Sequence, residues 1–303
     1  MNGRRAAKVL MPQGVRNRIR PIAYWMGRNI VAAKRLAGAT GVFPDFMIIG
    51  VQKGGTTFLY DLLVQHPDVR PARTKEIGFF DRFRGRGLGW YQANFPARGR
   101  SETWITGEAT PDYIFTPGVA ERIHAVRPSG TRFIVLLRDP TRRAISHYFH
   151  ARRLGSERLG IAEAFAAEAQ RVGADGATSV MHPLSALTSA HCYSYVSRGF
   201  YAAQLRTWFD LFGRENFHVE TSERLFAHPL DVVREVYAFL GLADFHPPAV
   251  APRNRGDYAV EVPAALTASI DRTFAEPTRQ LEALLGRSLP WHQEHERENC
   301  DPA

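Results

Sequence analysis

Three short stretches of this 303-residue chain carry residues whose types and spacing suit chemistry on an anion. The first is Gly50-Val-Gln-Lys-Gly-Gly-Thr-Thr57, set between the apolar run Phe46 to Ile49 and the apolar positions Phe58, Leu59, Leu62 and Leu63. That order reads as a buried strand, a loop and a helix. Gly54 and Gly55 allow close approach of the backbone to a ligand, and the helix start aims free N–H groups and a positive dipole end at it. Thr56 and Thr57 add hydroxyls and Lys53 a mobile positive charge. The second stretch runs from Arg132 to His150. Phe133 to Leu137 is a continuous aliphatic and aromatic run, as in a strand buried on both faces. Arg138 stands at its carboxyl end, where open α/β sheets bind ligands. Asp139-Pro140 caps the turn into a helix whose second turn holds Ser146, so a forked cation and a hydroxyl suit a trio of phosphate oxygens. The third stretch is Arg73-Thr-Lys-Glu-Ile-Gly-Phe-Phe-Asp81. Here Glu76 is either a partly desolvated acid in electropositive surroundings or a surface ion-pair residue.

The lysine position decides what kind of phosphate loop the first stretch forms. A loop that holds a nucleoside triphosphate places lysine directly after the second glycine of G-x-x-x-x-G-K-[ST]. Here that position is Thr56, and the loop's lysine is Lys53. The stretch resembles instead the 5′-phosphosulfate loop of sulfotransferases that use 3′-phosphoadenosine 5′-phosphosulfate (PAPS). The segment Arg138-Asp-Pro to Ser146 resembles their 3′-phosphate motif, and Lys75-Glu-Ile-Gly-Phe-Phe80 resembles a Lys-Glu-x-x-Phe-Phe motif of their heparan-sulfate-type branch. Arg253-Asn-Arg-Gly-Asp-Tyr258 is similar to a glycine loop that closes over the 3′-phosphate, with Asp257 where that loop is usually basic. The resemblance covers about Pro44 to Trp291 and implies the following site. Lys53, Gly54, Gly55, Thr56 and Thr57 hold the phosphosulfate. Arg138, Ser146, Asn254, Arg255 and Gly256 hold the 3′-phosphate. Glu76 is the general base and Lys53 steadies the leaving group. His150, four residues after Ser146 on the same helix face, matches an assisting histidine; a satisfied histidine beside the core is the equal alternative. That branch often has histidine two residues after the glutamate, where this chain has Gly78. The implied reaction moves a sulfuryl group to a hydroxyl or amine, on a carbohydrate or glycolipid, with adenosine 3′,5′-bisphosphate as product and no metal. Two rival readings are a P-loop kinase of a small molecule and a membrane-surface binding protein.

Composition narrows the partners. The chain has 39 Lys+Arg against 30 Asp+Glu, a net charge of +9. Residues 1–40 contain nine basic side chains and no acidic one, which leaves 30 of each sign on the rest. A neutral body does not favour nucleic-acid binding. Residues 1–43 read as a basic arm, in which Ile22, Trp25, Met26, Ile30 and Val31 form one face of an amphipathic helix. Such an arm either lies on an anionic membrane surface or packs on the body. No run of about 20 apolar residues reads as a membrane span, and the arm lacks a signal-peptide core. Cys192 and Cys300 have no metal-ligand spacing, nor do His182 and His191, so no metal site is expected. A cytoplasmic protein, peripheral at a membrane if the arm binds one, is the expectation.

The periodicities predict further elements over the domain at residues 44–303. Val69 to Ala72, Trp104 to Glu108 and Phe217 to Thr221 read as strands. Helices are expected from Pro117 to Val126 with Thr116 as N-cap, from Glu157 to Val172, from Gly199 to Trp208, from Leu225 to Leu242, and from about Ala264 to Leu285. The segment around Ser189 to Tyr193 reads as loop, in a region where acceptor contacts are expected. Together these give an α/β fold, a P-loop-like three-layer sandwich with a central, mainly parallel sheet flanked by helices.

Overall fold

The computed structural model describes residues 41–99, 101–173, 189–248 and 262–291. Five strands, β1 (Phe46–Gly50), β2 (Val69–Pro71), β3 (Ile105–Ala109), β4 (Arg132–Leu137) and β5 (Phe217–Thr221), form one sheet in the order β2-β3-β1-β4-β5. Every pairing is parallel. Parallel strands need crossovers, and those crossovers cover both faces with helices. The side-chain alternation of the central strands shows this directly. Phe46 and Ile48 of β1, with Ile134 and Leu136 of β4, pack on one face; Met47 and Ile49, with Phe133, Val135 and Leu137, pack on the other.

The first face is covered by α1 (Thr56–Leu63), which carries Leu59, Leu62 and Leu63 into the same core as Val232, Val233 and Val236. The second receives α2 (Leu88–Gln92) and α3 (Val119–Val126). The crossover from β4 to β5 begins with α4 (Pro140–Leu154) and continues through α5 (Ile161–Ala166), α6 (Glu168–Gly173) and α7 (Ser189–Tyr193). It ends in α8 (Tyr201–Phe212), whose Tyr201, Leu205 and Trp208 join the second core. After β5 come α9 (Ser222–Ala227) and α10 (Pro229–Leu240), the helix that supplies the three valines above; α11 (Ala264–Leu285) follows. The three-layer sandwich is as expected, and β5 and α11 have the expected bounds.

Four local expectations need correction. Helix α3 starts after Gly118, whose φ of 75° is the left-handed cap, so Thr116 does not cap it. The 157–172 helix is two short ones that start only at Ile161, and Glu157 lies before them: its carboxylate accepts hydrogen bonds from the backbone N–H groups of Arg158 and Leu159, from Arg171 and from the Tyr195 hydroxyl, which holds residues 157–159 outside the helix. The 225–242 helix begins earlier, at Ser222, where Thr221 Oγ1 accepts from the Arg224 N–H, and breaks at His228 because Pro229 disfavours helical backbone in the preceding residue. Residues 189–193 are helical rather than loop.

The first βα turn is pressed against β4. Val51 N–H donates to the Leu136 carbonyl at 2.8 Å, and a Cβ placed on Gly54 would lie 2.6 Å from the same oxygen and 2.9 Å from the Val51 carbonyl. Both obstacles are backbone atoms of the sheet and its turn, so neither can swing aside. Gly54→Ala should therefore lower stability by about 1–3 kcal/mol, measured by urea unfolding. A variant as stable as the parent would contradict this close approach.

Candidate active site

The carboxyl edge of the sheet gathers two loops and clasps them together. Lys53, in the turn after β1, has φ 71°, and Gly55 has φ 85°. Arg138, at the end of β4, donates from Nη1 to the Lys53 carbonyl at 3.1 Å. That uses one of five guanidinium donors and leaves the fork available to an anion. Ser222 Oγ approaches the Gly54 carbonyl at 2.8 Å and the Leu137 carbonyl at 2.9 Å, so the start of α9 ties the same two loops from beneath. The Tyr201 hydroxyl donates to the Arg138 carbonyl at 3.0 Å. Asp139, buried, takes the N–H of Arg142 at 2.7 Å and so caps α4, the role expected for it.

Charge at this edge is strongly unbalanced toward positive. Burial pushes the Lys53 amine down to about 8, and the guanidiniums of Arg153, Arg138 and Arg143 push it the same way against the opposing pull of Glu76. Three cations that crowd a lysine suit a polyanion, and this donor set fits the phosphate groups of a nucleotide. Arg143 is fully buried and donates from Nη2 to the Tyr195 carbonyl; its Nε and Nη1 find no acceptor among the described residues. Ser146 is buried in the second turn of α4, and His150 is half-buried one turn further on. Arg153 lies against His150 Nδ1 at 2.9 Å. A guanidinium has only donors, so that nitrogen accepts and the imidazole proton sits on Nε2. Asn254, Arg255 and Gly256 lie outside the described residues, as does the arm through residue 40.

Glu76 reaches this edge on the β2–β3 connection, which β3 and the turn after it hold in place. Its own N–H donates to the Ala109 carbonyl at 3.1 Å. The N–H groups of Phe79 and Phe80 donate to the Tyr113 hydroxyl at 3.0 and 3.3 Å. That hydroxyl passes its own hydrogen to Glu108 at 3.3 Å, and Glu108 also accepts from Tyr91 at 2.5 Å and Thr110 at 2.7 Å. Burial pushes the Glu108 carboxyl up to about 7, despite those three hydroxyls. Burial pushes Glu76 up as well, with Asp112 adding to it, but the charge and hydrogen bond of Lys75 and the charge of Arg82 outweigh both. Its carboxyl is left below the ordinary range and so is ionised near neutral pH. Lys75 Nζ is 3.1 Å from Glu76 Oε1, and the Glu76 side chain is 38% exposed. The Arg82 guanidinium occupies the space beside Gly78, where a Cβ would lie 2.7 Å from its Nη2.

Sequence reasoning therefore brings Lys53, Arg138 and Glu76 to one edge, and it misses several of their neighbours. Arg153 follows Ser146 at i+7 and His150 at i+3, spacings that place all three on one helix face. Arg143, Ser222 and Glu108 carry no such pattern, since only the tertiary fold brings them in.

The parallel sheet, with helices on both faces and a glycine-bearing βα turn at its carboxyl edge, defines a domain of the P-loop-like fold class. The sulfotransferase domain family matches residues 43–247, and the chain belongs to that family. Human heparan sulfate glucosamine 3-O-sulfotransferase 6 is 40% identical over 200 residues, 66% of this chain and 53% of that protein. Human heparan sulfate glucosamine 3-O-sulfotransferase 5 is 29% identical over 284 residues, 85% of this chain and 76% of that protein. The chain thus spans about half the length of the first of these relatives. The crystal structure of a sulfotransferase from Alicyclobacillus acidocaldarius shares the fold with a TM-score of 0.70 and 30% identity, covering 83% of this chain and 99% of that one.

Lys53 and Glu76 share one further property. Among the described residues they are the two non-glycine positions with positive φ, 71° and 60°. Strained backbone of this kind persists where surrounding structure holds it, and it collects at sites of function. Glu76→Gly should therefore be more stable than Glu76→Ala by about 1 kcal/mol, read from denaturant midpoints. Equal midpoints would contradict the left-handed backbone at this residue.

Proposed function

We propose that this domain transfers a sulfuryl group from PAPS to a hydroxyl or amine of a carbohydrate acceptor. One observation carries the reading. Lys53, joined to Arg138 through its own carbonyl, interacts electrostatically with Glu76 from the separate β2–β3 connection. A cation for a leaving phosphate and a carboxylate for an acceptor proton have to face each other across the group being moved. When bound, PAPS supplies that group on a phosphate that leaves readily. The names of the relatives, which specify heparan sulfate, support a carbohydrate acceptor.

Each residue then has a distinct task. The N–H groups of Gly55, Thr56 and Thr57 receive the 5′ end at the start of α1, while Gly54, whose own N–H donates to the Val51 carbonyl at 2.9 Å, gives the turn its close approach. Arg138 and Ser146 take the 3′-phosphate, with Asn254, Arg255 and Gly256 as its further ligands. Lys53 gives its charge to the oxygen on which negative charge builds. Glu76, ionised by Lys75 and Arg82, accepts the acceptor's proton. His150, its Nδ1 facing Arg153, assists as a donor through Nε2, and Glu76 is the proposed base.

Two measurements check this reading. Calorimetry should give adenosine 3′,5′-bisphosphate binding well ahead of ATP, with no need of Mg²⁺. Arg138→Ala should weaken it by roughly 2–5 kcal/mol, because a phosphate loses its charged partner. Tight Mg²⁺-dependent ATP binding without bisphosphate binding would favour the kinase reading instead. Transfer of labelled sulfur from PAPS to a heparan sulfate oligosaccharide should fall by about 10²–10⁴-fold in Glu76→Gln, with bisphosphate affinity retained. Near-native turnover in that variant would remove Glu76 from the base position.

A further inference from the structure

Near Glu76 lies a buried cluster of charged side chains, of which the reaction above uses only Arg82. Asp81 follows Glu76 on the same connection, Asp112 lies in the turn after β3, and His191 comes from α7. One ligand-type atom from each lies within 4.8 Å of the others. Arg82 Nε is 3.2 Å from Asp81 Oδ2, and Arg198 Nη1 is 2.7 Å from Asp112 Oδ1. His191 Nε2 is 3.8 Å from Asp81 Oδ2, an electrostatic contact longer than a hydrogen bond, with side chains only 9% and 0% exposed.

Two carboxylates and an imidazole at this spacing are also the donor set of a cation site. The two guanidiniums decide against that use. Each already pairs with one carboxylate, so the negative charge is matched in place, and a divalent ion would leave buried positive charge in excess. The cluster acts on Glu76 instead. Arg82 and Asp112 both reach the Glu76 carboxylate electrostatically, with opposite sign. His191 in turn reaches both Asp81 and Asp112. It is thus the one member contributed by the β4–β5 crossover that touches both halves of the balance.

We propose that His191 is a positioning residue for Glu76: by holding Asp81 and Asp112 against Arg82 and Arg198, it keeps the Arg82 guanidinium set beside the base. This rests on Glu76 as the base. Removing the imidazole frees Asp81 to draw Arg82 away from Glu76, so that burial and Asp112 push its carboxyl up toward the neutral form that accepts no proton, while the nucleotide loops stay untouched. An amide can keep a polar contact to Asp81, so glutamine should replace histidine in part.

The test uses the full chain, labelled PAPS and a heparan sulfate oligosaccharide as acceptor. His191→Ala should lower kcat by about 10–100-fold, with the acceptor KM and the bisphosphate affinity within about twofold of the parent if positioning is the whole effect. His191→Gln should recover a clear part of the loss. In a Glu76→Gln background, His191→Ala should cost little more, because the residue acts through the base. The same factor in both backgrounds would overturn the proposal, as would an effect confined to KM or to bisphosphate binding. A loss in the parent on chelation, restored by a divalent ion and absent in His191→Ala, would also overturn it by making the cluster a cation site. Full turnover in Glu76→Gln alone would instead remove the base assignment, an outcome separable from additivity of the pair.

Discussion

The hydrogen bond from Arg138 to the Lys53 carbonyl is the constraint on which the rest of the site depends. It joins the ends of β1 and β4, neighbouring strands whose loops would otherwise move independently. With Ser222 bound to the carbonyls of Gly54 and Leu137, it holds the first loop in a shape that gives Lys53 a left-handed backbone. The clasp also brings cations together at an energetic cost. Arg138, Arg143 and Arg153 crowd an amine that burial has already made harder to charge. A polyanion relieves that repulsion, so the same arrangement that strains the protein favours the ligand.

Glu76, the proposed base, is held by a different kind of material. On the β2–β3 connection Arg122 Nε donates to the Phe80 carbonyl at 2.7 Å, while the connection's own N–H groups run to the Ala109 carbonyl and the Tyr113 hydroxyl, and that hydroxyl rests on the buried Glu108. The polar platform stands on β3, while the phosphate clasp stands on β1 and β4. Glu76 therefore approaches Lys53 from the opposite flank of the sheet's centre. Under the proposed sulfuryl transfer, this placement suits an in-line displacement, with a donor's leaving oxygen and an acceptor's proton on opposite sides of the moving group.

What the sequence shows and what it hides follow from the range of the interactions. Phe133 to Leu137 and Phe217 to Thr221 read as strands because burial on both faces writes a continuous apolar run. Gly54, Gly55 and Lys53 read as a loop because anion binding needs small residues and charge close together. A single helix read from Leu225 to Leu242 passes over the break at His228, although Pro229 marks it. Arg153 stood in plain helical register with Ser146 and His150. Ser222, Glu108 and Arg143 are distant in the chain from the groups they support, and no local pattern marks a serine or arginine as a tie between loops. The positive φ of Lys53 and Glu76 is likewise imposed by the fold, since neither residue type favours it.

The central claim is that the clasp makes one anion site in which the Lys53 amine gives up its proton more readily than an ordinary lysine until a ligand arrives. The direct measurement is a pH titration of the Lys53 amine by NMR, on selectively labelled protein with and without adenosine 3′,5′-bisphosphate. The account predicts a midpoint near 8 in the ligand-free protein, as burial and the three guanidiniums dictate, and a clear upward move when the bisphosphate binds. A midpoint at the ordinary lysine value near 10.5 in both states would contradict it.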